Sequence, residues 1–114
     1  MSTLNTITIM GRLGDDVDIK DIRGAKLAEF AIATHRISKD QQVSDWHNIK
    51  AWRFIADRVA TWRKGDYVWL EGELVSDKYE RNGIKITKWS INMKRGQRIR
   101  PANPHAVGGG AQWQ

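Results

Sequence analysis

The 114-residue sequence contains no cysteine, which excludes disulfide bonds, thiolate metal ligands and cysteine nucleophiles together. A cytosolic, reducing compartment is therefore expected. The first ten residues alternate polar and apolar types and have no cationic stretch before an apolar core, so no signal peptide is expected. No apolar run approaches the length that spans a membrane.

Proline is also scarce, and both prolines, Pro101 and Pro104, fall after residue 100 together with the glycine run at 108–110. Such a composition cannot bury enough apolar surface to offset the entropy of ordering the chain. Residues 97–114 are therefore predicted to form a flexible, basic and glycine-rich tail. Residues 1–96 have the length of a single folded domain.

Acidic residues are absent after Glu80. The first 80 residues carry 12 Lys and Arg against 13 Asp and Glu, whereas the remainder carries seven basic residues and no acid. This asymmetry favours a polyanionic partner, and nucleic acid before a membrane surface, because no basic amphipathic helix accompanies the charge. A solvated strand face followed by a basic tail explains the charge equally well, so charge alone does not decide.

The remaining pattern is mainly that of short strands. Period-two alternation predicts strands at residues 6–9, 27–34, 46–53, 68–74 and 84–93, with an Asn82-Gly83 hairpin turn before the last. Residues 20–24 are interpreted as a turn and residues 35–45 as a polar loop. Apolar residues recur at helical spacing only in 54–64, which predicts one helix capped by Gly65.

This order of three strands, one helix and two strands is that of the five-stranded Greek-key OB-fold barrel. The predicted fold class is therefore all-β with one short helix. An SH3-like barrel has a similar strand count but normally lacks the helix, so the OB-fold is preferred.

The third predicted strand places two tryptophans and a lysine, Trp46, Lys50 and Trp52, on one face. Ile49 and Ala51 are the natural core residues, so the tryptophan face is predicted to point outward. Two exposed indoles beside a cation indicate a surface on which a ligand stacks. The alternative is that one or both tryptophans cap the barrel core or fill a subunit interface.

Signals for catalysis are weak. The three histidines have no metal-site spacing, and neither a nucleophile elbow nor a phosphate-binding loop motif occurs. We therefore expect no cofactor, no metal site and no enzymatic activity. A metal nuclease built on Asp16, Asp18 and Asp21 is the alternative from another class, and it would need carboxylates that converge from several strands.

Ordered motifs over residues 4–93 resemble the bacterial single-stranded DNA-binding protein family. They are the opening strand with its glycines at residues 5–16, residues 30–34, the Trp46-His47 pair, and residues 64–74. The resemblance implies sequence-independent binding and protection of single-stranded DNA in replication, recombination and repair. It also implies a cytoplasmic, nucleoid-associated homo-oligomer, with a tetramer favoured and a dimer possible.

The resemblance assigns roles to particular residues. It implies base stacking on Trp46, Trp52 and Tyr79, and a subunit interface that includes His47, Asn5 and Ile7. The candidate phosphate ligands are basic residues of the predicted loops and strands: Arg36, Lys39, Lys50, Arg53, Lys78, Arg81, Lys85 and Lys88.

Three departures from the family pattern stand out. Ser38 occupies the position of a usual stacking tryptophan, and Val17 that of a usual proline. Residues 108–114 contain no acidic residue, so the acidic recruitment tip typical of the family is not visible. This last departure favours an alternative, a dimeric primosomal OB-fold adaptor that binds single-stranded DNA during replication restart. The matches at Trp46-His47 and Trp52 disfavour it.

Overall fold

The computed structural model describes residues 2–102, which form six strands and one short helix. In chain order the elements are β1 (Ile7–Leu13), β2 (Asp18–Ile22), β3 (Ala25–Ser38), β4 (Gln41–Trp52), α1 (Phe54–Val59), β5 (Tyr67–Arg81) and β6 (Ile84–Arg100). Among residues 2–102, no helix is long and apolar enough to span a membrane.

Five of the strands close into a ring in the order β1-β5-β6-β4-β3, because β1 also pairs with β3. All of these pairings are antiparallel except that of β4 with β6, where Ile49 lies opposite Ile91. The predicted all-β OB-fold barrel with one short helix is confirmed. β2 is an additional strand that pairs with β3 alone.

The core consists of the inward residues of the alternating strands. Ile32, Ile49, Val68 and Leu70 are completely or almost completely buried, and so is Val59 of α1. Burial of such side chains contributes about 1.5–3 kcal/mol each to folding before entropy is counted. The helix therefore closes one part of the barrel core.

The helix is shorter than the predicted span of residues 54–64. It ends at Val59 with Ala60 as its C-cap, so Gly65 is not the cap. The Asp66 carboxylate, which is buried, accepts a hydrogen bond from the backbone N–H of Arg63 and fixes the turn after the helix. Trp62 lies in this turn and packs edge-on against Phe30 with ring centroids 5.6 Å apart, which explains why the helical spacing of apolar residues continued past the helix.

Two segments predicted as turn or loop belong to strands. Residues 18–22 form β2 and only Arg23-Gly24 is a turn, while residues 35–45 continue β3 and β4 around a two-residue turn at Lys39-Asp40. Both residues of each turn have positive φ, as do Asn82 and Gly83 at the correctly predicted third hairpin. Such turns match the natural twist of two antiparallel strands, which lets the hairpins extend to their tips.

The last strand extends to Arg100, four residues beyond the predicted domain boundary at residue 96. Gln97, Arg98 and Arg100 pair with the first residues of β5. Backbone pairing with a central strand thus orders a segment whose composition predicted a tail. Residues 103–114 of the predicted tail lie outside the described residues.

Candidate nucleic-acid interface

The outer face of β4 carries Trp46, Asn48, Lys50 and Trp52, and we call this set the β4 face. The alternation of the strand places it there, because Ile49 and Ala51 between them are 1% and 0% exposed. Trp46 is 58% exposed, whereas Lys50 and Trp52 are half-buried. The two indoles are six residues apart along an extended strand, or roughly 20 Å. The predicted outward tryptophan face is therefore present.

Trp46 is exposed but not loosely placed. A Cβ atom at Gly14 would collide with Cζ3 of the Trp46 indole, so the ring lies directly on the glycine backbone. Ala33, the cross-strand partner of Trp46, is also small, and the backbone N–H of Gly14 donates to the carbonyl of Ala31. Small residues on β3 and at the end of β1 thus form a flat seat for the ring.

Trp52 ends β4 opposite Leu27. The next residue, Arg53, has a φ of 58°, and its backbone N–H donates to the carbonyl of Lys26 at 2.8 Å. This positive-φ conformation separates the strand from the helix and leaves Arg53 exposed beside Trp52 in sequence. Two of the predicted DNA-contacting residues are therefore neighbours at this end of the β4 face.

Lys50 and Lys88 approach one cavity from different strands. The cavity, of about 340 Å³, is also lined by Asn48, Ser90 and Glu29. Asp15, Asp16 and Asp18 contribute further carboxylates to the lining. The structure thus brings two predicted phosphate ligands together and surrounds them with acidic groups that the prediction did not include.

Two polar groups close to Lys50 and Lys88 were missed from the sequence. The Nζ atom of Lys50 lies 3.4 Å from a carboxylate oxygen of Asp77, which is itself the cross-strand partner of Lys88. The hydroxyl of Ser90 is buried and has no hydrogen-bond partner among residues 2–102. Strand alternation on β6 predicts that Lys88 and Ser90 share a face, but the closeness of Asp77 depends on the register with β5.

The β5–β6 hairpin carries four predicted contacts in addition to Lys88. Tyr79 is 42% exposed, and with Lys78 and Lys85 it lines a shallow cavity of about 500 Å³. The Arg81 guanidinium lies 5.9 Å from the centroid of the Tyr79 ring. An aromatic ring and three cations are therefore brought together on this hairpin.

The β3–β4 hairpin carries Arg36 and Lys39, which differ in their surroundings. Arg36 donates a hydrogen bond of 2.6 Å to Asp45, and this bond lowers the pKa of the Asp45 carboxyl and raises that of the Arg36 guanidinium. Lys39 lies exposed in the two-residue turn. Lys39 is thus presented to solvent, whereas Arg36 already has an anionic partner.

The residues predicted at a subunit interface lie near one another, and two of them form hydrogen bonds within the chain. Asn5 uses its side-chain amide to exchange two hydrogen bonds with the backbone of Leu74, which extends the pairing of β1 with β5. Nε2 of His47 lies 2.8 Å from the Thr34 hydroxyl. Ile7 and His47 both line a groove of about 140 Å³ that also includes Trp89.

The described residues show no arrangement suited to metal chemistry. Across residues 2–102, no three side chains of His, Asp or Glu are grouped so that they could hold a metal ion. The Asp16 carboxylate instead accepts a hydrogen bond from the backbone N–H of Lys64. Nothing in this part of the chain assembles the site that the nuclease alternative requires.

Fold and surface together define an OB-fold barrel that exposes aromatic rings and cations on the β4 face and on the β5–β6 hairpin. A sequence model of the Single-strand binding protein family matches residues 4–99, and the chain belongs to this family. The family consists of non-enzymatic binding proteins, so the predicted family and the prediction of a binding protein rather than an enzyme are confirmed.

Individual relatives agree with this assignment. The chain is 32% identical over 97 residues to the single-stranded DNA-binding protein of Neisseria meningitidis, a match that covers 78% of this chain and 56% of that protein. With the corresponding protein of Aquifex aeolicus it shares 36% identity over 95 residues, covering 77% and 65%. The matches thus cover between about half and two thirds of these curated relatives.

A solved structure shows the same fold. The chain resembles the structure described as the Plasmodium falciparum SSB complex with ssDNA, with a TM-score of 0.76 and 30% sequence identity. The match covers 88% of this chain and 96% of that one. The barrel and its connections are therefore those of a protein that has been observed with single-stranded DNA.

Proposed function

We propose that the chain binds single-stranded DNA with little sequence preference and protects it during replication, recombination and repair. The observation that carries the proposal is Trp46, an indole seated on Gly14, more than half exposed, and on the same strand face as Lys50. An exposed aromatic ring and a cation on one strand face form a combination on which a base can stack while its phosphate is bound.

The chemistry of the surface accounts for the lack of sequence preference. Every base offers a π-face, so Trp46, Trp52 and Tyr79 accept any base, and phosphate contacts carry no sequence information. Stacking contributes about 1–3 kcal/mol per base, a magnitude measured on proteins that include this family rather than on this chain.

Phosphate binding is assigned to the eight basic residues predicted from the sequence. Lys39, Arg53, Lys78, Lys85 and Lys88 are exposed, and Arg81 lies beside Tyr79. Lys50 and Arg36 are paired with carboxylates, so binding of a phosphate there exchanges one anionic partner for another. Their contribution is therefore smaller than their charge alone implies.

The Trp52→Ala variant tests the proposal. We expect its affinity for a mixed-sequence oligonucleotide to fall by about 1–3 kcal/mol at every salt concentration, because an uncharged platform is lost. The slope of affinity against salt should not change. Wild-type affinity in the variant, or a collapse of its melting temperature, would contradict the stacking role.

A homo-oligomer, with a tetramer favoured over a dimer, is the second part of the proposal. Ile7, His47 and Trp89 line one groove, and Leu4 close to the start of β1 is 90% exposed. Such apolar exposure favours burial against another copy. Light scattering coupled to size exclusion is expected to give about four times the chain mass, and the mass of a monomer would contradict the proposal.

We also propose a cytoplasmic, nucleoid-associated location, where the single-stranded DNA bound by such a protein arises. Support comes from the absence of cysteine, which suits a reducing compartment, and from family membership. Fractionation of cells that produce the chain should place it with the nucleoid, and its recovery in another compartment would contradict this part of the proposal.

A further inference from the structure

The first residue of α1, Phe54, lies on the polar side of the helix. The helix buries Ala56 and Val59 against the barrel. Phe54 is outside this buried stripe and is 67% exposed, although the helical spacing of the sequence includes it among the apolar residues. The residues that share its side of the helix are Asp57 and Arg58, three and four positions further on, and both are exposed. The ring therefore lies among charged side chains and outside the core.

Stabilisation of the helix start does not account for Phe54 either. Many helices begin with an apolar contact between the residue before the N-cap and the fourth helical residue. Here those two positions are held by Trp52 and Asp57, so an apolar pair is not present. The N-cap residue, Arg53, makes no side-chain cap hydrogen bond. In the described part of the chain, neither core packing nor capping explains the exposed ring.

The backbone keeps Phe54 close to Trp52, the last residue of the β4 face. Only Arg53 separates them, so their Cα atoms are at most about 7 Å apart. Arg53 has a φ of 58° and a ψ of −123°, and its backbone N–H donates to the carbonyl of Lys26. This conformation is strained for a residue other than glycine. The position nevertheless carries an arginine, which puts a cation between the two aromatic residues in sequence.

The cations close to Phe54 have no anionic partner. Arg53 and Arg58 are exposed, and within the described part of the chain neither guanidinium group forms a hydrogen bond or an ion pair. The carboxylate on this side of the helix, Asp57, is paired with Nζ of Lys26 at 2.5 Å. A helical side chain leans toward the N-terminus of its helix, so Arg58 leans toward Phe54. The surroundings of the ring therefore attract an anion.

A nucleotide fits these surroundings better than an apolar partner does. An aromatic ring accepts the π-face of any base, and a guanidinium group binds a phosphate through paired N–H donors. An apolar partner would instead bury Arg53 and Arg58 without counter-charges, which is unfavourable. The ring also continues the β4 face beyond Trp52. Charge and continuity both favour single-stranded DNA as the occupant.

We propose that Phe54 is a further base-stacking residue of the DNA-binding surface, and that Arg58 joins Arg53 as a phosphate ligand beside it. A strand that lies on Trp46 and Trp52 then continues onto the first turn of α1. The contact is made by side chains and does not involve the backbone N–H groups of this short helix. The inference rests on the proposed function and extends its surface by one base.

Substitutions of Phe54 separate stacking from apolar contact. The probe is a labelled oligothymidine of about 15 nucleotides, within the range that one OB-fold covers, titrated with the full chain. Phe54→Ala and Phe54→Leu should each lower the affinity about fivefold or more, because both lose the π-face. Phe54→Trp should bind at least as tightly as the wild type. All three should keep the wild-type melting temperature, because the ring is outside the core.

The matched control for the ring is Ile37→Ala on the β3–β4 hairpin. Ile37 is 70% exposed, close to the 67% of Phe54, but its aliphatic side chain has no π-face. Its loss should leave the affinity for the same oligothymidine at the wild-type value.

The charge of Arg58 is tested by the salt dependence of binding. Arg58→Gln should decrease the magnitude of the slope of log affinity against log salt by about 0.7, because one phosphate contact is lost. Arg58→Lys is the control and should keep the wild-type slope. Phe54→Ala should also keep it, since the ring is uncharged. An unchanged slope in Arg58→Gln would contradict the role of this arginine.

Wild-type affinity in a folded Phe54→Ala variant would overturn the inference, and so would wild-type affinity in Phe54→Leu. A changed oligomer mass of Phe54→Ala with unchanged affinity would assign the ring to contact between copies and overturn the inference as well. A collapse of the melting temperature would show that the ring supports the fold, with the same consequence. Failure of the wild-type chain to bind oligothymidine would instead contradict the proposed function itself.

Discussion

The β4 face and the outer face of β5 around Tyr67 are built from the same residue types in opposite arrangements. On the β4 face, Trp46 is uncovered and Lys50 is paired with the carboxylate of Asp77. On the outer face of β5, the guanidinium groups of Arg12 and Arg100 lie 5.0 and 5.4 Å from the centroid of the Tyr67 ring. The comparison teaches that composition does not define how a surface binds: an open ring offers stacking, whereas a covered ring orients the cation above it.

The largest expected effect is the loss of the open ring. We expect Trp46→Ala to lower the affinity for a short oligonucleotide by about 1–3 kcal/mol without changing the salt slope. Gly14→Val should reproduce most of this loss, because its added Cβ displaces the indole from its seat. Trp46→Phe, which keeps a stacking ring, is the control and should recover part of the affinity in a fluorescence anisotropy titration.

Equal losses for Trp46→Phe and Trp46→Ala would contradict a stacking role. The same titration on Trp69→Phe sharpens the comparison. The Arg95 guanidinium lies 5.8 Å from the centroid of the Trp69 ring. Because Trp69→Phe keeps a ring beneath Arg95 and lies outside the β4 face, it should leave short-strand affinity at the wild-type value.

An intermediate effect is expected at the cation of the β4 face. Lys50→Ala should decrease the salt slope by less than the roughly 0.7 of a full phosphate contact, because Lys50 is already paired with Asp77. Asp77→Asn should act in the opposite direction and raise affinity several-fold, since Lys50 no longer has a carboxylate partner at 3.4 Å. Isothermal titration calorimetry at several salt concentrations measures both, and a weaker affinity for Asp77→Asn would argue against this competition.

The smallest effect concerns the ion pair on the β3–β4 hairpin. The hydrogen bond from Arg36 lowers the pKa of Asp45 in the folded chain. The ion pair therefore stabilises the fold at pH values above the pKa that Asp45 has in the unfolded chain. This stabilisation is lost as the pH falls through the pKa of Asp45 in the folded chain. Melting curves of the wild type and Asp45→Asn should therefore differ slightly at neutral pH and converge below about pH 4. A difference that persists in acid would contradict the assignment.

The sequence predicted the strands whose two sides differ in environment. The alternation of Ile49 and Ala51 with Trp46 and Lys50 was visible because one side is buried and the other is not. β2, and the hairpin tips around Lys39, were missed because their residues are exposed or nearly so on both sides. Where neither face of a strand is buried, apolar and polar residues need not alternate along it.

The residues of the candidate site could be predicted from the sequence only where they belong to one strand. Trp46, Lys50 and Trp52 belong to a single strand, so period two was enough to group them. Asp77 could not be found in this way, because its contact with Lys50 depends on the pairing of β5 with β6 and of β6 with β4. The two arginines on Tyr67 likewise come from different strands, and only the register unites them.

The parallel pairing of β4 with β6 is one of two short junctions in the barrel, the other being that of β1 with β3. The register joins the two strands at Ile49–Ile91 and Lys50–Asn92, whereas the hairpins on either side are paired over most of their length. Amide hydrogen exchange at this seam should therefore be faster than within either hairpin. Lys50 lies on one side of the seam and Lys88 on the other, so a DNA strand that contacts both bridges the seam and slows its opening.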